Sequence, residues 1–254
     1  MDSSSGKLIV LEGADGVGKT TQALALKNMM EFYGLPVKMY KFPDLDDELV
    51  TAPAIKRFLD KPYVEANHAM FNIFSANRYE RRGVIVDDLD DGMNVICDRY
   101  THSGLAYHTA NMIQNYIESI DEEDDMFPML LGEFLLDECD RSPEHVEMRE
   151  ILRQQMQWCM AVDRNMPTPD VVVRLSGEMR KEPTSAYDED HKFQEYVNYA
   201  YDLFAAHFTN RFVEVAVEKD ESIKSTTVKI LTVLRDANFV GDKWNQVFKR
   251  ELPE

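Results

Sequence analysis

Short apolar runs and stretches with helical apolar periodicity alternate along this chain of 254 residues. The apolar runs predict five strands, at residues 8–11, 37–42, 94–98, 171–175 and 212–217. The stretches between them predict helices, at residues 21–33, 46–60, 64–89, 191–208 and 222–236. Strands that alternate with helices pair in parallel, because each helix returns the chain to the same end of the sheet. We therefore predict an α/β fold with an open, five-stranded parallel sheet flanked by helices.

One segment, residues 110–155, is far more acidic than the rest of the chain. It holds 13 Asp and Glu residues against three Arg, and so carries more than half of the net charge of −18. Apolar residues between the acidic ones favour helices, so we predict an acidic helical insertion with a solvated surface. Polar residues 176–191 predict a mobile loop, and residues 238–254 predict a polar tail. We thus expect one domain over residues 1–237, followed by this tail.

Composition narrows the classes of partner. A net charge of −18 disfavours nonspecific binding to nucleic acid or to acidic membranes. The three cysteines lack C-x-x-C spacing, which argues against a disulfide framework and against a zinc site. The first residues contain no apolar signal region, and no apolar run reaches 18 residues. We therefore expect a soluble, intracellular protein of the cytoplasm.

Residues 13–20, Gly-Ala-Asp-Gly-Val-Gly-Lys-Thr, match the phosphate-loop pattern G-x-x-x-x-G-K-[ST] directly after the first predicted strand. Glycines allow successive N–H groups to curl around a phosphate, and the following helix directs the positive end of its dipole at the anion. In such loops Lys19 reaches the β- and γ-phosphates of a nucleotide, and the hydroxyl of Thr20 binds Mg²⁺. The predicted phosphate-binding residues are Gly13, Ala14, Gly16, Val17, Gly18, Lys19, Thr20 and Thr21.

An aspartate at the end of the third predicted strand, Asp98, is the second feature expected of a phosphate-loop enzyme. A buried strand beside the first one delivers such a carboxylate towards Mg²⁺. Residues 84–87 also form an apolar run that ends in an aspartate, but they lie inside a longer helical pattern without a turn before them. We therefore assign the metal site to Thr20 and Asp98, and expect Mg²⁺ with ATP as the phosphoryl donor.

Several sequence blocks resemble those of thymidylate kinases, the phosphate-loop nucleoside-monophosphate kinases that make dTDP from dTMP and ATP. They keep the order and spacing of that family and cover nearly the whole chain except the acidic insertion and the tail. The blocks are residues 8–22 with Asp15 inside the phosphate loop, Lys41-Phe42-Pro43, residues 74–80, Cys97-Asp98-Arg99-Tyr100, residues 103–107, residues 167–170, and Tyr187 with Phe193-Gln194. The resemblance implies a P-loop NTPase fold and direct phosphoryl transfer from ATP to dTMP in dTTP biosynthesis.

The resemblance also implies roles for the residues in these blocks. Phe74 stacks on thymine, and Arg78, four residues later on the same helix face, hydrogen-bonds its O4 atom. Arg99 holds the acceptor phosphate, where a guanidinium can make a bidentate contact. Asp15 meets the 3′-hydroxyl, and Tyr107 packs under the deoxyribose and disfavours a 2′-hydroxyl. With Phe42 as a wall of the base pocket, the implied dTMP-binding residues are Asp15, Phe42, Phe74, Arg78, Arg99, Ser103 and Tyr107.

Phosphoryl transfer depends on cations near the γ-phosphate more than on covalent chemistry. Some family members place an arginine after the phosphate-loop aspartate, where this chain has Gly16. Others bring an arginine from a lid, and in residues 176–191 the candidates are Arg180 and, second, Lys181. A lid that closes also excludes water. The implied catalytic residues are Lys19, Asp98, Arg99, Asp15 and Arg180, and the resemblance further implies a homodimer.

The chain departs from the family pattern in two places. Phe42-Pro43 is followed by Asp44-Leu45, whereas the family has an arginine there that helps to hold the acceptor phosphate. Either Arg99 carries more of that role or a lysine such as Lys41 compensates. The second departure is the acidic insertion, where relatives have a much shorter connection.

Other functions stay open beside a thymidylate kinase. A deoxynucleoside kinase needs a carboxylate base and typically carries Asp-Arg-Ser, where this chain has Asp98-Arg99-Tyr100. Another nucleoside-monophosphate kinase would use dUMP or dGMP as the acceptor. A weakly active protein could instead bind a basic partner through the acidic insertion. A GTP-dependent switch would need Asn-Lys-x-Asp, which the sequence lacks.

Overall fold

The structure is a computed structural model that describes residues 5–60, 67–119, 143–177, 191–207, 211–237, 239, 244 and 245. Its strands are β1 (Leu8–Glu12), β2 (Val37–Lys41), β3 (Asn94–Asp98), β4 (Val171–Ser176) and β5 (Phe212–Ala216). Its helices are α1 (Lys19–Phe32), α2 (Ala52–Asp60), α3 (Asn67–Asp90), α4 (Thr101–Ser119), α5 (Pro143–Asp163), α6 (His191–His207) and α7 (Ile223–Asp236).

The five strands form one parallel sheet in the order β2-β3-β1-β4-β5, which confirms the predicted fold. Every residue of β1 and β3 is buried, as expected for parallel strands that are covered on both faces. The register pairs Asp98 with Leu11 on one side and with Lys41 on the other. The carboxyl ends of β1, β2 and β3 therefore lie together, and the residues that follow them can form one site.

The helices pack in two groups around this sheet. In one group α4 lies at the centre and contacts α3, α5 and α6. In the other, α1 contacts α7. The group around α4 carries four of the residues predicted to bind the acceptor, namely Phe74, Arg78, Ser103 and Tyr107, whereas α1 follows the phosphate loop. The site is thus expected where α1 and α4 begin, at the carboxyl ends of β1 and β3.

The predicted bounds of all five strands lie within one residue of the observed ones. The predicted second helix, residues 46–60, was wrong at its start. This helix begins at Ala52, not at residue 46, because the preceding aspartates bind the backbone locally. The carboxylate of Asp44 accepts a hydrogen bond from the N–H of Asp46, and that of Asp46 accepts one from the N–H of Glu48. Such turns compete with helical hydrogen bonds. Residues 84–87 lie within α3, so they are not a strand.

Several predicted features lie partly or wholly outside the described residues. These are residues 120–142 of the acidic insertion, the lid residues 178–190 with Arg180 and Lys181, and most of the tail. The described ends of the insertion, residues 110–119 and 143–155, are helical as predicted, in α4 and α5. Among the described helices, each is too short or too polar to cross a bilayer.

Candidate active site

The phosphate loop connects β1 to α1 and depends on glycines at three positions. Gly13, Gly16 and Gly18 have φ angles of 136°, 76° and 100°, a region that L side chains rarely adopt. A Cβ atom on Gly13 would lie 2.2 Å from the carbonyl oxygen of Leu175 on β4. The side chains of Ala14 and Val17 are buried in the hydrophobic core, so that only their backbone can face a ligand. The loop thus offers backbone N–H groups at a helix start, an arrangement that binds anions.

Lys19, the first residue of α1, folds back over this loop. Its ammonium donates a hydrogen bond to the carbonyl of Ala14, and the residue is only 6% exposed. Burial, and secondly the nearby Arg99, lower the pKa of Lys19 to about 7, although Asp15, Asp98 and Glu12 oppose the shift. A nucleotide phosphate in the loop would supply the negative charge that favours the protonated ammonium.

Thr20 and Asp98 meet at the metal site that the sequence predicts. The Thr20 hydroxyl donates to Asp98 Oδ2 at 2.5 Å, and the Asp98 carboxylate is buried. Both are hard oxygen ligands, which suit Mg²⁺. No group of three or more His, Cys, Asp and Glu side chains that could hold a metal is found within the described residues. This donor set fits Mg²⁺ that takes its remaining ligands from nucleotide phosphates and water, as is usual for this ion.

Asp15 of the phosphate loop forms one cluster with Arg99 and Tyr107. The Asp15 carboxylate accepts hydrogen bonds from the Arg99 guanidinium and the Tyr107 hydroxyl, and the guanidinium lies 5.4 Å from the Tyr107 ring centroid. Arg99 Nη1 also donates to the carbonyl of Gly13 at 3.2 Å, so this cation directly contacts the phosphate loop. Burial raises the pKa of Tyr107, and Asp15 raises it further against the effect of Arg99. The Tyr107 hydroxyl is therefore a hydrogen-bond donor.

A buried carboxylate that sequence reasoning missed, Glu12, holds the start of α4. It accepts hydrogen bonds from the N–H groups of Tyr100 and Ser103 at 2.8 and 3.1 Å, from the Ser103 hydroxyl, and from the Tyr201 hydroxyl at 2.8 Å. These contacts fix the backbone on both sides of Thr101, where α4 begins, just after Arg99. The available signal was the same as for Asp98, namely an acidic residue at the end of an apolar strand.

A cleft of about 540 Å³ opens beside this cluster, and every residue predicted to bind dTMP lines it. Asp15 and Arg99 belong both to this lining and to the surroundings of the phosphate loop. The Ser103 hydroxyl accepts a hydrogen bond from Arg99 Nη1 at 3.1 Å and donates to Glu12, so this residue also supports the guanidinium. The predicted donor and acceptor regions are therefore contiguous.

The lining of the cleft also includes several aromatic rings and the buried guanidinium of Arg78. Arg78 Nη2 donates to Asp163 Oδ2 at 2.5 Å, and the Ser75 hydroxyl donates to Asp163 Oδ1 at 2.6 Å. A Cβ atom on Gly104 would lie 3.0 Å from Arg78 Nη2, so glycine leaves room for the guanidinium. Phe74 is half-buried, with its ring edge-on to Phe58 at 6.0 Å. This part of the cleft can hold a planar ring with a hydrogen-bond acceptor.

Residues 11–130 match the family model described as "Thymidylate kinase". Over these residues the chain is similar to thymidylate kinases. The thymidylate kinase of Arabidopsis thaliana is 36% identical over 105 residues, which are 41% of this chain and 39% of that protein. The thymidylate kinase of Danio rerio is 36% identical over 110 residues, which are 43% of this chain and 51% of that protein. That of Schizosaccharomyces pombe is 28% identical over 179 residues, 69% of this chain and 63% of that protein. The matched segments thus span less than two thirds of these relatives.

A solved thymidylate kinase structure from Candida albicans superposes with a TM-score of 0.67 and covers 96% of this chain and 94% of that one. The sequence identity is 22%, so the likeness supports the fold, which is the predicted P-loop NTPase fold. The predicted acceptor residues Phe42, Phe74, Arg78 and Arg99 lie within the matched segment of the thymidylate kinase family.

The departure after Phe42-Pro43 is visible in the cleft. Leu45 lines the wall and brings no charge to it. The Asp44 carboxylate accepts a hydrogen bond from Arg81 Nε at 2.7 Å, and Asp46 pairs with Arg81 Nη2 at 2.9 Å. The Arg81 guanidinium is therefore held by two carboxylates outside the cleft lining.

Proposed function

We propose that this chain is an ATP-dependent thymidylate kinase, which transfers the γ-phosphoryl group of ATP to a phosphate oxygen of dTMP and forms ADP and dTDP. The observation that carries this proposal is the position of Asp15 and Arg99. Both line the acceptor cleft, and Arg99 also contacts the phosphate loop. An acceptor phosphate held by Arg99 lies next to a donor phosphate in the loop, as in-line transfer requires.

In the proposed mechanism the protein stabilises charge and positions the reactants. The loop amides and Lys19 hold the β- and γ-phosphates, and Arg99 holds the acceptor phosphate. Thr20 and Asp98 would hold Mg²⁺, which would neutralise phosphate charge. The attacking group is already an anionic phosphate oxygen, so no general base is needed. The buried carboxylates, such as Glu12, then act as supports for the cations.

The base end of the cleft suits thymine. Arg78 presents N–H donors to the O4 acceptor of thymine, whereas cytosine carries a donor amine at that position. Phe74 provides a ring face for stacking. The Tyr107 ring lies against the Arg99 guanidinium, where the resemblance places the deoxyribose. A 2′-hydroxyl would crowd this ring, which favours deoxynucleotides.

Four properties remain predictions from the sequence: the lid role of Arg180, the homodimer, the domain division at residue 237 and the intracellular location. Arg180 would close over the γ-phosphate and add a cation at the transfer step. The acidic insertion begins within α4, shortly after Tyr107, so it would border either the acceptor site or a dimer surface. A role of that insertion in binding a basic partner is the second candidate function, favoured only by its charge.

The test is a coupled assay of ADP release with ATP and Mg²⁺, in which dTMP, dUMP, dGMP and thymidine are compared as acceptors. We expect the highest kcat/KM with dTMP and no turnover of thymidine, because thymidine lacks the attacking phosphate. Replacement of Arg99 by alanine should abolish turnover of dTMP while ATP still binds. Turnover of thymidine would indicate a deoxynucleoside kinase instead. If the protein bound ATP but released no ADP with any of the four acceptors, the proposal would be overturned.

A further inference from the structure

We propose that Lys41 binds the phosphate of the acceptor nucleotide, beside Arg99. This inference rests on the proposed function and deepens it. Lys41 is the last residue of β2 and lines the acceptor cleft, and 59% of its side chain is exposed to solvent. An ammonium on a flexible, solvated stem can move onto a ligand without first leaving a buried ion pair.

The distribution of charge in the cleft singles out this lysine. Among the described residues, the cations of the lining are Lys41, Lys56, Arg78 and Arg99. Three of them already contact a carboxylate, in the pairs Lys56–Asp47, Arg78–Asp163 and Arg99–Asp15. For Lys41 Nζ, the nearest carboxylate oxygen of the described chain is Asp98 Oδ2 at 3.9 Å, which is beyond hydrogen-bonding distance. Lys41 is thus the cleft cation with the least compensated charge.

The position of Lys41 links the cleft to the phosphate loop. Its Cα pairs with that of Asp98 in the sheet register. Asp98 Oδ2, the oxygen nearest to Lys41 Nζ, also accepts the hydrogen bond from the Thr20 hydroxyl. The ammonium therefore lies at the border where an acceptor phosphate would approach the γ-phosphate. Two phosphates that meet there repel each other, and a cation at this border offsets the repulsion.

The experiment compares Lys41→Met with Lys41→Arg and with a matched control on the same strand. We expect Lys41→Met to raise the KM for dTMP by roughly tenfold or more, since a hydrogen bond to a charged group contributes a factor of that order. The KM for ATP should change less than about twofold, and Lys41→Arg should restore most of the dTMP affinity. Lys38→Met should leave both constants unchanged, because Lys38 pairs with Asp88 at 2.6 Å and does not line the cleft.

Calorimetric binding of dTMP and thymidine separates a phosphate contact from damage to the base pocket. Lys41→Met should weaken dTMP binding by the same factor and leave thymidine binding unchanged, because thymidine has no phosphate. Unchanged dTMP binding, or equal weakening of both ligands, would overturn the inference. A changed Mg²⁺ requirement with unchanged dTMP binding would show that Lys41 only screens Asp98, which also overturns it. Because binding needs no turnover, a wild-type protein without kinase activity would refute the proposed function separately.

Discussion

At the scale of single residues, the base end of the cleft depends on a buried carboxylate that comes from a distant part of the chain. Asp163, at the end of α5, contacts Arg78 and Ser75 of α3. Both members of the Arg78–Asp163 pair are nearly fully buried, with 4% and 7% of their side chains exposed. Asp163 therefore fixes where the Arg78 guanidinium points.

Replacement of Asp163 by asparagine should destabilise the protein and weaken its choice of base. The variant leaves Arg78 buried without a counter-charge, so we expect the free energy of unfolding to fall by about 3 kcal/mol. A less firmly held Arg78 should also lower the ratio of kcat/KM for dTMP over dCMP by about tenfold. Urea unfolding and the coupled assay measure the two effects.

Glu31→Gln is the matched control for this variant. Glu31 pairs with Lys27 at 2.7 Å, and 48% of its side chain is exposed on α1. Its replacement should change the free energy of unfolding by less than about 0.5 kcal/mol, because exposed pairs contribute little. The role of Asp163 would be refuted if Asp163→Asn and Glu31→Gln lowered the free energy of unfolding equally and both kept the wild-type ratio of kcat/KM for dTMP over dCMP.

At the scale of elements, the junction between β1 and α1 requires a glycine at position 13, for two separate reasons. Its φ of 136° is strained for any other residue, and an added Cβ would meet the carbonyl of Leu175 at 2.2 Å. We expect Gly13→Ala to lower the free energy of unfolding by about 2 kcal/mol or more and to abolish ATP binding. Thermal unfolding and calorimetric titration with ATP test this.

The same substitution in α3 should have the opposite effect on stability. A Cβ atom on Gly83 would meet no atom within 4 Å, and the residue is exposed within the helix. Gly83→Ala should therefore raise the free energy of unfolding by up to about 1 kcal/mol and leave ATP binding intact. A loss of stability in both alanine variants would argue against the cause given for Gly13.

At the scale of the whole molecule, α3, α4 and α5 meet in a cluster of rings next to the acceptor cleft. His108 of α4 packs against His68 of α3 and Trp158 of α5, with ring centroids 5.0 and 5.6 Å apart. Gln155 Oε1 lies 2.9 Å from His68 Nε2 and 3.3 Å from His108 Nε2. Burial lowers the pKa of His108, and His68 lowers it further, while Gln155 opposes the shift.

This histidine makes global stability depend on pH in a defined direction. Because the folded pKa of His108 lies below its unfolded value, the unfolded chain takes up the proton first as the pH falls below about 6.5. The free energy of unfolding should therefore fall from pH 7.5 to pH 5.5, and His108→Gln should show a smaller fall. Urea unfolding at both pH values measures this. If the free energy of unfolding fell equally in His108→Gln and in the wild type between pH 7.5 and pH 5.5, a contribution from His108 would be contradicted.

The sequence by itself determined the local architecture of this protein. Each of the five strands was predicted to within one residue, because buried parallel strands appear as short continuous apolar runs. The phosphate loop was also evident, since the glycines at 13, 16 and 18 meet a backbone requirement that is local in sequence. The residues predicted to line the acceptor cleft do so, and their roles toward a ligand remain proposals.

Only the tertiary structure decided how the side chains of the site are supported. Asp163 meets Arg78 from 85 residues away, and Glu12 meets Tyr201 from 189 residues away. No periodicity encodes such contacts, because they depend on how α3, α4, α5 and α6 pack on the sheet. The start of α2 and the weakly compensated charge of Lys41 were likewise set by side-chain contacts in three dimensions. Local backbone preferences are readable in the chain, whereas the pairing of distant charges exists only after folding.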